Sequence, residues 1–260
     1  MCLILVAWQA HADYPLVVAA NRDEFFSRPS APATFWPDAP QVLAGRDLEA
    51  GGTWLGISRQ QRFAALTNYR EGGRQLASAR SRGALVADFL TGNAHPAAYL
   101  SAVAAHAGEY NGFNLLVADE AHLGYCTNRG DGRVRWLGPG IHGLSNHLLD
   151  TPWPKLASAR AAFAAALTTL PAPAAFFDLL ADQEIVADSH LPETGVPVEW
   201  ERILSAIFVT AENYGTRAST VLIRHRDGQT TLFERSFAVG ARAIGEVGER
   251  FQSSLISTGV

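Results

Sequence analysis

Methionine, lysine and cysteine are all scarce in this chain. Its 260 residues hold one Met, two Cys and a single lysine, Lys155. Cys2 and Cys126 form no CxxC or CxxCH pattern, which excludes a disulfide framework, a paired-cysteine zinc site and c-type haem attachment. No HExxH and no clustered metal ligands occur, so no metal centre is expected. A basic excess is missing as well: 21 Lys+Arg face 25 Asp+Glu, a formal charge of −4. Nucleic-acid binders carry the opposite balance. No apolar run approaches the roughly 20 residues that span a bilayer. The first run, Leu3 to Trp8, has no basic segment ahead of it, unlike a secretory signal. These absences lead to the expectation of a cytoplasmic protein with no nucleic-acid partner and no integral membrane segment. Internal repeats and low-complexity linkers are not seen either.

What is present suits a packed core. The chain is 48% hydrophobic and 18% charged, a globular composition. Residues 2–9 and 16–20 are apolar runs parted by a polar turn, the pattern of a β-hairpin. A proline-rich loop is expected over 28–41. Thr53–Ser58 and Arg62–Asn68 suit a second hairpin, and Phe113–Ala118, His122–Thr127 and Arg133–Leu137 read as further strands. Helices are expected over 83–92, 96–107, 153–169 and 173–181, and a last strand pair over Ser219–His225 and Thr230–Phe237. Hairpins with helices grouped apart, rather than regular βαβ alternation, indicate antiparallel sheets in an α+β layered domain. Strands apolar on both faces would be covered on both sides, as in two stacked sheets flanked by helices.

The chemistry begins at Met1-Cys2. Methionine before a small residue is normally trimmed, which would leave Cys2 with a thiol and a free α-amine on one residue. An α-amine has a pKa of about 7.7–8.0, so it can act as base for its own side chain, as in N-terminal Thr nucleophiles. If Met1 is retained, the amine belongs to Met1 and self-activation fails. The alternative is a cysteine serving as a small buried hydrophobe.

Asn21-Arg22-Asp23-Glu24 leaves the second strand. If strands one and two pair as a hairpin, Arg22 and Asp23 come beside Cys2. An Arg there lowers a thiol pKa, and an Asp can hold an α-ammonium. Strand neighbours point to opposite faces, so both side chains reach Cys2 only if the chain turns or bulges.

Met1-Cys2 with the Asn-Arg-Asp-Glu tetrad resembles the NRDE family, also called the transport and Golgi organisation family. Matching segments follow in order: Gly45-Arg46-Asp47-Leu48, Ala50-Gly51-Gly52-Thr53-Trp54-Leu55-Gly56, Ala65-Leu66-Thr67-Asn68-Tyr69-Arg70, Ser81-Arg82-Gly83, Gly112-Phe113-Asn114-Leu115, Leu144-Ser145-Asn146, Asp150-Thr151-Pro152-Trp153-Pro154-Lys155 and Tyr214-Gly215-Thr216-Arg217-Ala218-Ser219-Thr220. They cover nearly the whole chain, read as one domain over 1–260. The resemblance implies a four-layer αββα sandwich like that of N-terminal-nucleophile hydrolases, closest to their cysteine branch. It implies Cys2 as nucleophile, Arg22 and Asp23 supporting the thiol and amine, Asn68 and Asn146 as oxyanion-hole donors, and Arg217 as a late arginine. The alternative for Asn68 and Asn146 is a turn or strand-end residue bonding its own backbone, and neutral-donor logic favours the functional reading at Asn68. Asn21, Glu24, Arg46, Trp54, Tyr69 and Arg70 are candidates for the ligand-binding wall.

Two functions are implied. One is hydrolysis of an amide or thioester of a small acyl substrate, with no cofactor required. The other is non-catalytic haem or acyl-CoA/lipid binding and trafficking, with an Arg-rich mouth gripping propionates or phosphates. The sequence leaves the oligomeric state open.

Overall fold

The computed structural model describes residues 2–73, 76 and 78–253. The chain begins with β1 (Cys2–Trp8), β2 (Leu16–Phe25), β3 (Ser30–Trp36), β4 (Ala39–Asp47), β5 (Leu55–Ser58) and β6 (Phe63–Asn68). Helices α1 (Arg82–Thr91) and α2 (Pro96–Ala105) precede β7 (Phe113–Ala118), β8 (Leu123–Thr127), β9 (Arg135–Leu137) and β10 (Gly140–Leu144). Helices α3 (Pro154–Ala166), α4 (Ala174–Leu180) and α5 (Val198–Ile203) lead to β11 (Tyr214–Arg224), β12 (Gln229–Ala238) and β13 (Arg242–Gln252).

One sheet has the order β10-β1-β2-β11-β12-β13 and the other β3-β4-β5-β6-β7-β8-β9. Every strand pairing in both is antiparallel. Side-chain alternation sorts the apolar residues into three layers. Ile4, Val6, Trp8 and Val18 meet Leu43, Ile57, Phe63 and Leu116 between the sheets. Leu3, Leu5, Val17 and Ala19 face the other way, onto Leu156, Phe163 and Phe176 of α3 and α4. Across the second sheet, Val42, Leu66, Leu115 and Val117 face Val86, Phe89 and Leu100 of α1 and α2. The result is the αββα sandwich, and it explains why β1 is apolar at every position.

Several elements differ from the sequence reading. The proline-rich segment 28–41 is no loop: it holds β3 and the start of β4. Pro32 is accommodated because β3 is an edge strand, where a missing N–H costs no ladder bond. The β3–β4 register shifts between Ala31 and Thr34. β2 runs to Phe25, so the Asn-Arg-Asp-Glu tetrad lies within the strand rather than leaving it. β10, β13 and α5 were not expected. β10 and β13 each carry two glycines and no clean apolar alternation.

Candidate active site

Cys2 opens β1 and pairs directly with Arg22 on β2. Directly opposed residues in an antiparallel pair share a face, so Cys2 and Arg22 point toward the inter-sheet side. Asn21 and Asp23 point the other way. No bulge in β2 intervenes; the irregularity lies on β11, where the register shifts between Thr216 and Ala218 around Arg217. Asp23 nevertheless acts on the thiol, through its main-chain N–H bonded to the sulfur. Burial pushes the Cys2 thiol up, and the Asp23 carboxylate adds to this, while Arg22 and that N–H pull it down.

A cavity of about 330 Å³ opens at Cys2, and its wall includes Arg22, Asp23, Glu24, Trp54 and Asn68. The Arg22 guanidinium lies 4.3 Å from the Trp54 ring centroid, and its Nη2 is 3.8 Å from Asp47 Oδ2. Arg22 is 5% exposed. Its Nη1 is buried with no hydrogen-bond partner among the described residues. Arg28 Nε donates to the same Asp47 oxygen at 2.8 Å. Burial of Asp47 opposes ionisation, yet the Arg28 hydrogen bond and main-chain N–H donors hold its carboxyl below the ordinary value. Arg82 closes another side. Its Nη1 donates to the Gly112 carbonyl at 3.0 Å, within electrostatic reach of Glu24 and Cys2.

Behind β2 lies a buried charged layer. Asp23 Oδ1 accepts from Thr216 Oγ1 at 2.7 Å, and the Tyr214 hydroxyl donates to the Asp23 carbonyl at 2.9 Å. Burial raises the Asp23 pKa, against the opposing pull of Lys155, Thr216 and Arg70. Arg70 pairs with Glu201 at 2.5 Å. Lys155 Nζ donates to the Leu204 carbonyl at 2.7 Å. Burial, with help from Arg70, brings the Lys155 ammonium down to about 8, while Asp23, Cys2 and Glu201 act to hold it up.

The expected residues therefore divide. Cys2, Arg22, Asp23, Glu24, Trp54 and Asn68 share the cavity wall. Asn146 is packed behind it: its Nδ2 donates to the Asn68 carbonyl at 2.9 Å, and its own carbonyl accepts from the Arg70 N–H. Asn21 is turned to the helices, donating to Leu180 and Ile207 carbonyls and accepting from Ser219 Oγ. Arg46 stacks on Trp36 and pairs with Asp38 away from Cys2. Tyr69 stacks against His147. Arg70 belongs to the buried layer. Arg217 donates to the Phe25 and Arg28 carbonyls and lines a neighbouring cavity of about 300 Å³ that shares Arg22 and Trp54 with the first. The sequence reading missed Asp47, Arg28, Arg82 and Lys155. Three of these sit inside quoted motifs, Gly45-Arg46-Asp47-Leu48, Ser81-Arg82-Gly83 and the segment ending in Lys155; Arg28 carried no such signal.

Two stacked antiparallel sheets between helical layers, with a cysteine heading a central strand at a cavity, define a fold of the N-terminal-nucleophile-hydrolase class. A Caenorhabditis elegans N-acylethanolamine-hydrolyzing acid amidase ortholog has this fold: it is similar with a TM-score of 0.50 at 14% identity, over 85% of this chain and 92% of that one. The chain belongs to the Transport and Golgi organisation 2 family, whose model matches residues 1–239. It is 43% identical over 243 residues to the Bos taurus Transport and Golgi organization protein 2 homolog, covering 86% of this chain and 87% of that protein. The Homo sapiens homolog is 40% identical over 245 residues, with the same coverage. Among the described residues, no helix is long and apolar enough to cross a membrane.

Proposed function

We propose that the protein is an N-terminal-cysteine hydrolase acting on an amide or thioester of a small acyl substrate. The observation that carries this reading is Cys2 in a cavity wall, paired with buried Arg22 and bonded by the Asp23 N–H. With Met1 removed, the Cys2 α-amine takes the thiol proton and the thiolate attacks the substrate carbonyl. In this reading Asn68, which shares the cavity wall with Cys2, donates to the developing oxyanion, a contribution of roughly 2.7–4 kcal/mol per donor. Asn146 braces Asn68 from behind. The leaving amine or thiol departs with the proton from the α-ammonium, and water then cleaves the acyl-cysteine thioester. Cys2→Ala should abolish turnover of acyl amides and thioesters while leaving the unfolding midpoint unchanged. An acyl adduct on Cys2, seen by intact mass at short times, is the positive sign; full turnover in Cys2→Ala would sink the reading.

The carrier reading has one observation of its own. Arg22, Arg28, Arg80 and Arg82 all line the cavity, which suits a carboxylate or phosphate. Among the described lining residues, Cys2 is the one side chain of a type that ligates haem iron. Haem bound here would thus show thiolate ligation and lose its shifted Soret band in Cys2→Ala, whereas acyl-CoA binding would survive that change.

A further inference from the structure

We propose that His95, Asp119 and His122 form a surface site for a divalent cation of the zinc class. They come from two separate segments. His95 precedes α2, while Asp119 and His122 sit on the turn between β7 and β8. Leu100 of α2, packed in the core against the β-sheet that carries this turn, brings the segments together. One ligand atom from each residue lies within 4.8 Å of the others.

The geometry is that of ligands around a small ion. Asp119 Oδ2 is 3.4 Å from His95 Nε2 and 3.5 Å from His122 Nδ1. Zinc holds nitrogen and carboxylate oxygen at about 2.0–2.2 Å, which makes a tetrahedral ligand–ligand edge about 3.3–3.6 Å. The carboxylate is oriented for this. Its Oδ1 accepts the main-chain N–H groups of Ala121 at 2.8 Å and His122 at 2.7 Å and lies 3.3 Å from His122 Nδ1, while Oδ2 is the oxygen that faces His95 Nε2. The rings stand 70° apart with centroids 5.2 Å apart. A cavity of about 540 Å³ adjoins the group and includes Glu120 in its wall, so a fourth position is open to water or to that carboxylate.

Two features oppose tight binding. Arg62 and Arg224 lie within electrostatic reach of Asp119 and offset the two carboxylates. His95 Nδ1 also accepts the Ala97 N–H at 3.2 Å as the cap of α2. Coordination through Nε2 moves the ring proton to Nδ1 and gives up that bond. The expected affinity is therefore micromolar rather than structural in strength.

The test uses the full chain with Cys2→Ala, which removes a competing thiol. Zinc is titrated calorimetrically, and cobalt is followed by its visible d–d bands. Three variants remove ligands while keeping their structural bonds: His95→Asn preserves the cap acceptor, Asp119→Asn the turn acceptor, and His122→Gln the side-chain bulk. One equivalent should bind, and each variant should weaken binding at least about tenfold with an unchanged unfolding midpoint. Without any variant, cobalt should selectively broaden the ring resonances of His95 and His122. Absence of micromolar zinc binding, affinity unmoved by all three changes, or broadening centred on other histidines overturns the proposal.

Discussion

Lys155 carries the only side-chain ammonium of the chain, and it is held away from water beside Asp23, Arg70 and Glu201. Because it is unique, lysine labelled with carbon-13 gives a single, self-assigned signal. Its titration should centre near pH 8, against the 10.5 of an ordinary lysine. The direction of the linked stability effect follows. The folded pKa lies below the unfolded one, so between about 8 and 10.5 the unfolded chain holds the extra proton. The Lys155 contribution to stability should therefore rise with pH across that window. The Cys2 and Cys126 thiols, which burial pushes up from 9.0, act the other way above about pH 9, so the contribution is read as the difference in chemical denaturation between the protein and Lys155→Met at a series of pH values. A signal titrating at the ordinary lysine value would show that the ammonium is hydrated. The contrast between Arg22 and Asp23 belongs to the same scale. They are adjacent in sequence but act on the thiol differently: the Arg22 guanidinium lowers its pKa, whereas Asp23 lowers it through its main-chain N–H and raises it through its carboxylate.

At the level of elements, the cavity depends on how closely α1 approaches the loop before β5. Gly52 has no room for a side chain: a Cβ there would lie 2.4 Å from the main chain of Gly83, at the start of α1. Gly52→Ala must push the helix outward, and with it the cavity residues Ser81 and Arg82. We expect a loss of about 1–3 kcal/mol, as for other overpacked sites, read from the urea midpoint. Much of this level was legible from the sequence. The β1–β2 hairpin, the β5–β6 and β7–β8 pairs and the first four helices follow from apolar runs punctuated by turn residues. β3 and β4 did not, because prolines at 29, 32, 37 and 40 are the residues of loops as well as of edge strands. β13 escaped because its side chains are mostly exposed and leave no buried stripe. The site was half legible for a related reason. Motif order locates Cys2, Arg22, Asp23 and Asn68, but only the fold shows that Asn21, Asn146, Arg70 and Arg217 turn to other partners.

Across the whole molecule, β1 and β2 are covered on one face by the second sheet and on the other by α3 and α4. Amides there should exchange with solvent only through global unfolding, whereas those of the edge strands β3 and β13 should open locally. Native-state hydrogen exchange should therefore rank β1 and β2 slowest by orders of magnitude, and equal protection in β13 would contradict the layering. The order of the layers also has a consequence for how such a chain can vary. Along β2, even positions serve the cavity and odd positions serve the buried layer behind it, with Arg22 and Asp23 the point where the two meet. Replacing one side chain alters one side. Losing a single residue from the strand would exchange the sides, sending the guanidinium into the helices and the carboxylate toward the thiol. Point changes can thus adjust this site by degrees, but a change in strand length would turn it inside out.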